Sequence, residues 1–551
     1  MKYRDLFSPR NRDRSTVISG NGMVCASQPL AAMVGIDVLK AGGGCVDAAI
    51  AANAMLGLTE PAMCGIGGDL FAIVWSETEQ RLTGLNASGR SPHEWTFEKA
   101  QSLGLESIPH HSPLSWSVPG CVSGWEALLE RFGSFSMGQC LEPAISYAEE
   151  GFPLSPLISR DFDFDSLKTR YGVEYTDRNL RALYNPDGRV PGYGDIFRNP
   201  DLAANYRTIA ESGADGFYHG EIAGSIVASA QEAGAFMTLR DLADHTADWV
   251  DPVSANYRGW DVWELPPNGQ GITALLMLNM LEQFDIGALE PNSAAHLHLF
   301  IEAKKLAYED RAQYFADPAF AEIPVEALIS KDYAMQRASL IDPERARDDF
   351  SYGDPQLDSD TVYLCAADSD GNMISLIQSI FRPWGSGIVP KGLGFAMQNR
   401  GQSFALDPGH RNRLEGHKRP FHTIIPAFLT RDGRPVMAFG VMGGPFQPQG
   451  HTQVLMNMID FEMSVQQAGE QPRISHIGSS TPEGAPMRGG GELVIEHGLP
   501  DSTQRDLQAL GHRISDQTDA HGGYQAIWRE DNPRRYFGGS DPRKDGSACG
   551  Y

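Results

Sequence analysis

The sequence predicts a layered α/β protein in which sheet is covered by helices. Three observations lead there. Apolar residues recur at helical spacing through much of the first two-thirds of the chain. Short strands cluster toward its two ends. The length, 551 residues, exceeds one ordinary core and fits either two to four domain-sized units or one large layered body.

Taken in order, Pro29 to Lys40 and Val46 to Leu58 read as helices, with Ala41-Gly42-Gly43-Gly44 as the stop signal between them. GIGGDLFAIVW, from Gly65 to Trp75, ends in a buried strand. Its glycines resemble a phosphate loop only superficially, because the Lys-Ser/Thr ending and the strand-before-helix context are missing. Helices are expected around Gly124 to Phe132 and Leu141 to Glu150, and a polar stretch from Arg160 to Gly220 reads as short helices and loops. Ile272 to Gln283 and Ala294 to Phe315 are strong helices. After Asp360 the texture changes to short strands, glycines and turns, and no internal repeat is visible.

Composition narrows the function. A charged content of 21% and a hydrophobic content of 41% are those of a soluble globular protein. The net charge of −25 makes nucleic acid and anionic membrane poor partners, so an anionic small molecule would need local arginines. No apolar run is long enough for a membrane span, and the first residues lack the apolar core of a secretory signal. The seven scattered cysteines show no CxxC spacing and the fifteen histidines no HExxH, so no metal or other cofactor is expected. Free thiols predict a cytoplasmic protein.

The candidate chemistry lies in QLDSDTVYLCAADSDGNMISLIQS, from Gln356 to Ser379. Strands from Val362 to Asp368 and from Met373 to Ile380 flank an Asp370-Gly371 turn. A polar Asp358-Ser359-Asp360 leads straight into Thr361. A threonine hydroxyl is a weak nucleophile that needs a base, and there is no GxSxG elbow or Ser/His/Asp arrangement to supply one. Cleavage of the Asp360–Thr361 bond would give Thr361 its own base, an α-amine with a pKa near ~8. A two-residue turn places Ile380 opposite Thr361 and Ser379 on the diagonal, whereas a three-residue loop places Ser379 directly opposite. Either register brings a second hydroxyl close. In VMGGPFQPQG, Gly443 and Gly444 follow a strand from Pro435 to Val441 and could present N–H groups to an oxyanion.

Several stretches together resemble the γ-glutamyltransferase family of N-terminal nucleophile hydrolases. They include ASQPLAAMVGIDVLKAGGGCVDAAIAANAMLGLTEP, GIGGDLF, SVPGCVSGWEALLERFG, EPAISYAEEGF, LPPNGQGI, EAKKLAYEDRAQYFADP, DTVYLCAADSDGN, WGSGIV, MGG and SDPRKDG, in family order along nearly the whole chain. The resemblance implies a four-layer αββα sandwich made as a proenzyme. Self-cleavage would yield a large subunit, 1–360, and a small subunit, 361–551. It also implies Thr361 as nucleophile, Ser379 as a supporting hydroxyl and Gly443-Gly444 as the oxyanion hole.

Departures from the family pattern concern the acyl group. The segment that holds a substrate α-ammonium in transferases through Gln-x-Asp-Asp reads Gln398-Asn399-Arg400-Gly401 here. The paired serines for the α-carboxylate appear as His422-Thr423, and Arg90 matches the carboxylate-clamping arginine only with a two-residue shift. The loop between Gly401 and Arg419 is shorter than the family's lid. Arg382 is a further candidate anion contact. These changes resemble the branch containing oxamate amidohydrolase and cephalosporin (glutaryl) acylases. The expected function is therefore an amidohydrolase for a small anionic acyl substrate, with a homo-oligomer of the processed heterodimer as one possible assembly. The alternatives are a glutathione hydrolase or γ-glutamyltransferase with a rebuilt amine site, and an uncut binding protein without catalysis.

Overall fold

Gln28 starts the first helix, Pro29–Lys40, by accepting the Leu30 N–H at 2.6 Å, and Pro29 presets its first turn. Gly42, at φ +98°, ends it. The next helix, Cys45–Thr59, is buried on every side because helices pack against it as well as the sheet. The computed structural model describes residues 14–348, 361–487, 489–517 and 521–551.

Fourteen strands form two antiparallel seven-stranded sheets. One runs, edge to edge, Val17–Ser19, Arg534–Ser540, Gly523–Asp531, Arg434–Met442, Ala427–Arg431, Trp260–Glu264 and Val253–Tyr257. The other runs Ser547–Gly550, Met23–Ala26, Val362–Ala367, Met373–Ser379, Asp69–Ser76, Arg81–Ala87 and Asp248–Val250.

Three apolar cores show the layering. Side chains alternate across a strand, so each sheet offers two faces. Phe71, Tyr363, Cys365 and Ile377 of one sheet meet Phe428, Ala438, Met442 and Ile527 of the other. Val362, Leu364, Leu70 and Ala72 point away, into the layer with helices Pro29–Lys40 and Cys45–Thr59. Leu429, Phe439 and Val441 point to the opposite outside, against helices Ile272–Leu281, Ala294–Tyr314 and Gln447–Ile459. The body is a four-layer αββα sandwich. Gly440 lets the sheets close at its centre, since a Cβ there would lie 2.4 Å from the Tyr363 ring.

The hairpin Val253–Tyr257/Trp260–Glu264 lies in the helix-rich middle of the chain, whereas the sequence reading clusters strands toward its two ends. Its turn, Arg258-Gly259, has both residues at positive φ, the geometry of a tight hairpin, although Arg258 gives no sequence cue for it. In the polar stretch after Arg160, one element is longer than expected. Pro200–Ser212 is a full helix, capped by Asn199, which accepts the Leu202 N–H at 3.0 Å.

Candidate active site

Asp368 sets the hairpin register. Its Oδ1 accepts from the N–H groups of Asp370, Gly371 and Asn372 at 3.0–3.1 Å, and Gly371 takes φ +99°. The loop therefore has three residues, Ser369 to Gly371, and Val362 pairs with Gln378. One step on, Thr361 stands opposite Ser379 and its Oγ1 donates to Ser379 Oγ at 3.3 Å. Both side chains are fully buried. Asp360 and its leader lie outside the described residues.

The chain turns sharply after Ser379. Phe381 adopts φ +80° and Trp384 φ +61°, left-handed backbone that bulky residues rarely accept. That turn sends the Phe381 N–H back onto Ser379 Oγ at 2.8 Å. The loop is held by carbonyls of the Cys45–Thr59 helix's exit, Met63 to the Ile380 N–H and Ala62 to the Trp384 N–H. The Phe381 ring carries the Arg400 guanidinium at 4.0 Å and that of Arg382 at 4.9 Å.

Arg400 is the central cation. Its Nη2 donates to Ser379 Oγ at 3.4 Å and its Nη1 to Thr423 Oγ1 at 2.7 Å. The side chain is wholly buried, and its Nε has no hydrogen-bond partner. Burial lowers its pKa to about 9, with Arg382 adding repulsion and Asp69 opposing the shift. Among the described residues no carboxylate forms an ion pair with it. Gln447 completes the surroundings of Thr361. Its Oε1 accepts the Ile425 N–H at 2.9 Å, which turns Nε2 toward Thr361 Oγ1 at 3.5 Å.

Gly443 and Gly444 lie at the exit of strand Arg434–Met442, at φ +126° and +52°. Among the described residues neither N–H is taken by a protein acceptor, the condition for an oxyanion nest.

Asp69, which faces Ser379 across the neighbouring strand pair, ties the surrounding segments together. Its Oδ1 accepts from the N–H groups of Gly89 and Gly120 and from Gln398 Nε2 at 2.9 Å, and its Oδ2 faces His422 Nε2 at 3.0 Å. His422 Nδ1 accepts the Ile424 N–H, so the ring is neutral with its proton on Nε2. Burial and the Arg400 charge push His422 down to about 4 despite Asp69. Burial works against ionised Asp69, yet the bonds from His422 and Gln398 hold its pKa below the ordinary value.

The predicted site thus divides. Thr361, Ser379, Arg400 and Thr423 converge, and Arg382 shares their aromatic platform. The side chains of Gln398 and His422 are spent on Asp69. Arg90 sits on Asp248 at 3.2 Å, an aspartate also held by Arg419. At Gly401 a Cβ would lie 2.8 Å from the Ser115 carbonyl oxygen, so a backbone oxygen stands where an aspartate side chain would begin. Asp69, Phe381 and Gln447 were missed. Asp69 was visible as the acid ending GIGGD, but neither spacing nor composition marks the other two.

One described cluster has metal-ligand chemistry, His298, Glu302 and His512. Its atoms are already engaged with one another or with neighbouring groups. His298 Nδ1 meets His512 Nε2 at 2.8 Å, His298 Nε2 meets the Asp342 carbonyl at 2.7 Å, and the buried Lys305 ammonium sits on Glu302 at 2.7 Å. A resident cation is thereby supplied by the chain itself.

The sequence profile described as Gamma-glutamyltranspeptidase matches residues 31–551. The chain is 36% identical to the "Glutathione hydrolase-like YwrD proenzyme" of Bacillus subtilis, over 97% of this chain and 99% of that protein. It is 30% identical to the "Oxamate amidohydrolase proenzyme" of Klebsiella pneumoniae, over 98% and 100%. The crystal structure of cephalosporin acylase from Bacillus halodurans superposes with a TM-score of 0.89 at 40% identity, covering 100% of this chain and 99% of that one.

Proposed function

We propose that this chain, which belongs to the gamma-glutamyltranspeptidase family, matures by cutting itself before Thr361 and then hydrolyses amides of small anionic acyl groups. Subunits 1–360 and 361–551 form from one precursor. Thr361 Oγ1 attacks the amide carbonyl while its freed α-amine takes the hydroxyl proton and passes it to the leaving amine. The N–H groups of Gly443 and Gly444 receive the oxyanion. Water then repeats the attack on the ester and releases the acid.

The observation that carries the substrate class is Arg400, a buried guanidinium without a carboxylate partner among the described residues, one hydroxyl away from the nucleophile. Leaving such a charge unpaired is costly, and a substrate carboxylate would complete it. Arg400 Nη2 and Thr361 Oγ1 both lie within 3.4 Å of Ser379 Oγ, so they are less than about 7 Å apart. That span suits a carboxylate one to four carbons from the scissile carbonyl, as in oxamate or a glutaryl amide. Among relatives, the names oxamate amidohydrolase and cephalosporin acylase agree with this reading. Seven unpaired cysteines support a reducing, cytoplasmic setting.

The test is a series of p-nitroanilides of oxalic, succinic and glutaric acid, their uncharged methyl esters, and γ-glutamyl-p-nitroanilide. The reading predicts kcat/KM at least ten-fold higher for a free acid than for its ester, and above that for the γ-glutamyl compound. A preference for the γ-glutamyl anilide would replace it with glutathione hydrolase activity.

A further inference from the structure

The oxyanion turn is gripped from behind by a buried cluster with no part in the mechanism above. Gln270 Nε2 donates to the Gly444 carbonyl at 2.8 Å and to the Thr423 carbonyl at 2.7 Å. Tyr308 donates its hydroxyl to the next carbonyl, that of Pro445. Arg311 organises both donors. Its Nη1 donates to Gln270 Oε1 at 2.6 Å, and its guanidinium lies 3.9 Å over the Tyr308 ring. Lys304 covers the same ring at 3.9 Å. Gln270, Tyr308 and Arg311 are all buried.

The amide of Gln270 has no freedom. Its oxygen is fixed by an obligate donor, so both hydrogens must go to the two carbonyls. Holding the Gly444 and Pro445 carbonyls fixes the two peptide planes that follow the glycines, and the Gly443 carbonyl, which accepts the Phe446 N–H at 3.0 Å, fixes the plane that carries the Gly444 N–H. Among the described residues no protein acceptor takes the N–H groups of Gly443 and Gly444, and Gln447, three residues on, faces Thr361 Oγ1 at 3.5 Å. The same amide holds the segment whose Thr423 hydroxyl accepts from Arg400. Without the clamp, a turn of two positive-φ glycines would have several conformations of similar energy.

We propose that Arg311 is a positioning residue for catalysis. Acting through Gln270 and Tyr308, it presets the oxyanion turn. This rests on the amidohydrolase reading above. Since preorganised donors favour the tetrahedral state over the bound substrate, loosening them should lower kcat and spare KM.

The test uses processed Gln270→Leu, Tyr308→Phe and Arg311→Lys enzymes with the acid anilide that wild type turns over best. Two inhibitors are added, a small carboxyalkyl boronic acid that forms a tetrahedral adduct on Thr361, and the free product acid. Expected for Gln270→Leu is a kcat loss of about 100-fold, KM within about three-fold, boronate Ki raised in parallel with kcat and product-acid Ki unchanged. Tyr308→Phe removes one oxygen and keeps the ring, so it should fold and mature and show a smaller loss of the same pattern. In Arg311→Lys the shorter cation cannot reach both partners, and kcat should fall between these. Variants with wild-type kcat and boronate Ki would overturn the inference. Boronate and product affinities falling together would also overturn it, because that marks general damage. A wild type that neither turns over an anilide nor binds the boronate would instead defeat the amidohydrolase reading beneath it.

Discussion

Replacing Arg400 by Met should make the protein more stable and a worse enzyme. The guanidinium is fully buried, and burial lowers its pKa to about 9. A base whose folded pKa is depressed penalises the folded state at every pH below that value, so the penalty is present in full at pH 7. Its size is at most on the order of 5 kcal/mol: the attraction from Asp69 is already part of that pKa, and the Phe381 ring offsets some of the cost. Methionine fills similar space without charge, although it gives up the bonds to Thr423 and Ser379, each worth about 1 kcal/mol. A net gain of about 1–2 kcal/mol is expected, read as a higher denaturation midpoint in urea at unchanged slope. Against this, a substrate carboxylate near 4 Å gains about 4 kcal/mol from the cation at an effective dielectric of about 20. Even half of that loss raises KM for an anionic anilide about 30-fold. The methyl ester of the same anilide should be hydrolysed as well as before. Two results would refute the reasoning: a destabilised Arg400→Met protein, which would mean that the charge is already compensated, or equal loss for acid and ester.

Three further outcomes are expected. In processed Gly444→Val enzyme, a β-branched residue is forced toward φ +52° and the turn must shift, so kcat should fall about 10²–10³-fold; an unchanged kcat would remove Gly444 from the oxyanion hole. Gly401→Asp should lower both the melting temperature and activity on every substrate, rather than confer γ-glutamyl activity, because its Cβ would strike the Ser115 carbonyl; a clean gain of γ-glutamyl turnover would show that the loop yields easily. Burial raises the Glu60 pKa to about 7, against attraction from Lys544, so its contribution to stability is full below pH 4.5 and is lost as pH rises through about 7; Glu60→Gln should be more stable than wild type at pH 8 by up to about 3 kcal/mol and equal to it at pH 4.5, whereas a less stable variant at pH 8 would mean an ionised Glu60 paired with Lys544.

The helices that sequence periodicity marks most strongly are present to within a few residues, because their signals are local: Pro29 and the Ala41–Gly44 stop for one, and the Ser293 cap for Ala294–Tyr314. The hairpin that opens at Thr361 was legible for the same reason, and only its loop length was open. Asp368 decides that length through side-chain bonds to three N–H groups, a choice that a bare Asp-Gly signal does not contain. The strands Val253–Tyr257 and Trp260–Glu264 were hidden because they form a sheet edge whose value lies in distant partners such as Ala427–Arg431. The placement of candidate residues was legible where the signal is local: Thr361 faces Ser379 across the hairpin, and the paired glycines follow their strand. It was not legible where the role depends on who else arrives. Gln398 and His422 are drawn to Asp69, and Arg90 to Asp248, by segments more than a hundred residues away in sequence. Phe381 gained its place through a backbone angle that its side chain disfavours.

The claim on which the rest depends is that Thr361 becomes the amino terminus of the working enzyme. The most direct measurement is the intact mass and amino-terminal sequence of the purified protein and of its Thr361→Ala variant. The account predicts that the 60.1 kDa wild-type chain divides into pieces of roughly 39 and 21 kDa, the smaller beginning Thr361-Val362-Tyr363, while Thr361→Ala stays whole. A small subunit that begins at any other residue, or a Thr361→Ala chain cut like wild type, would contradict it.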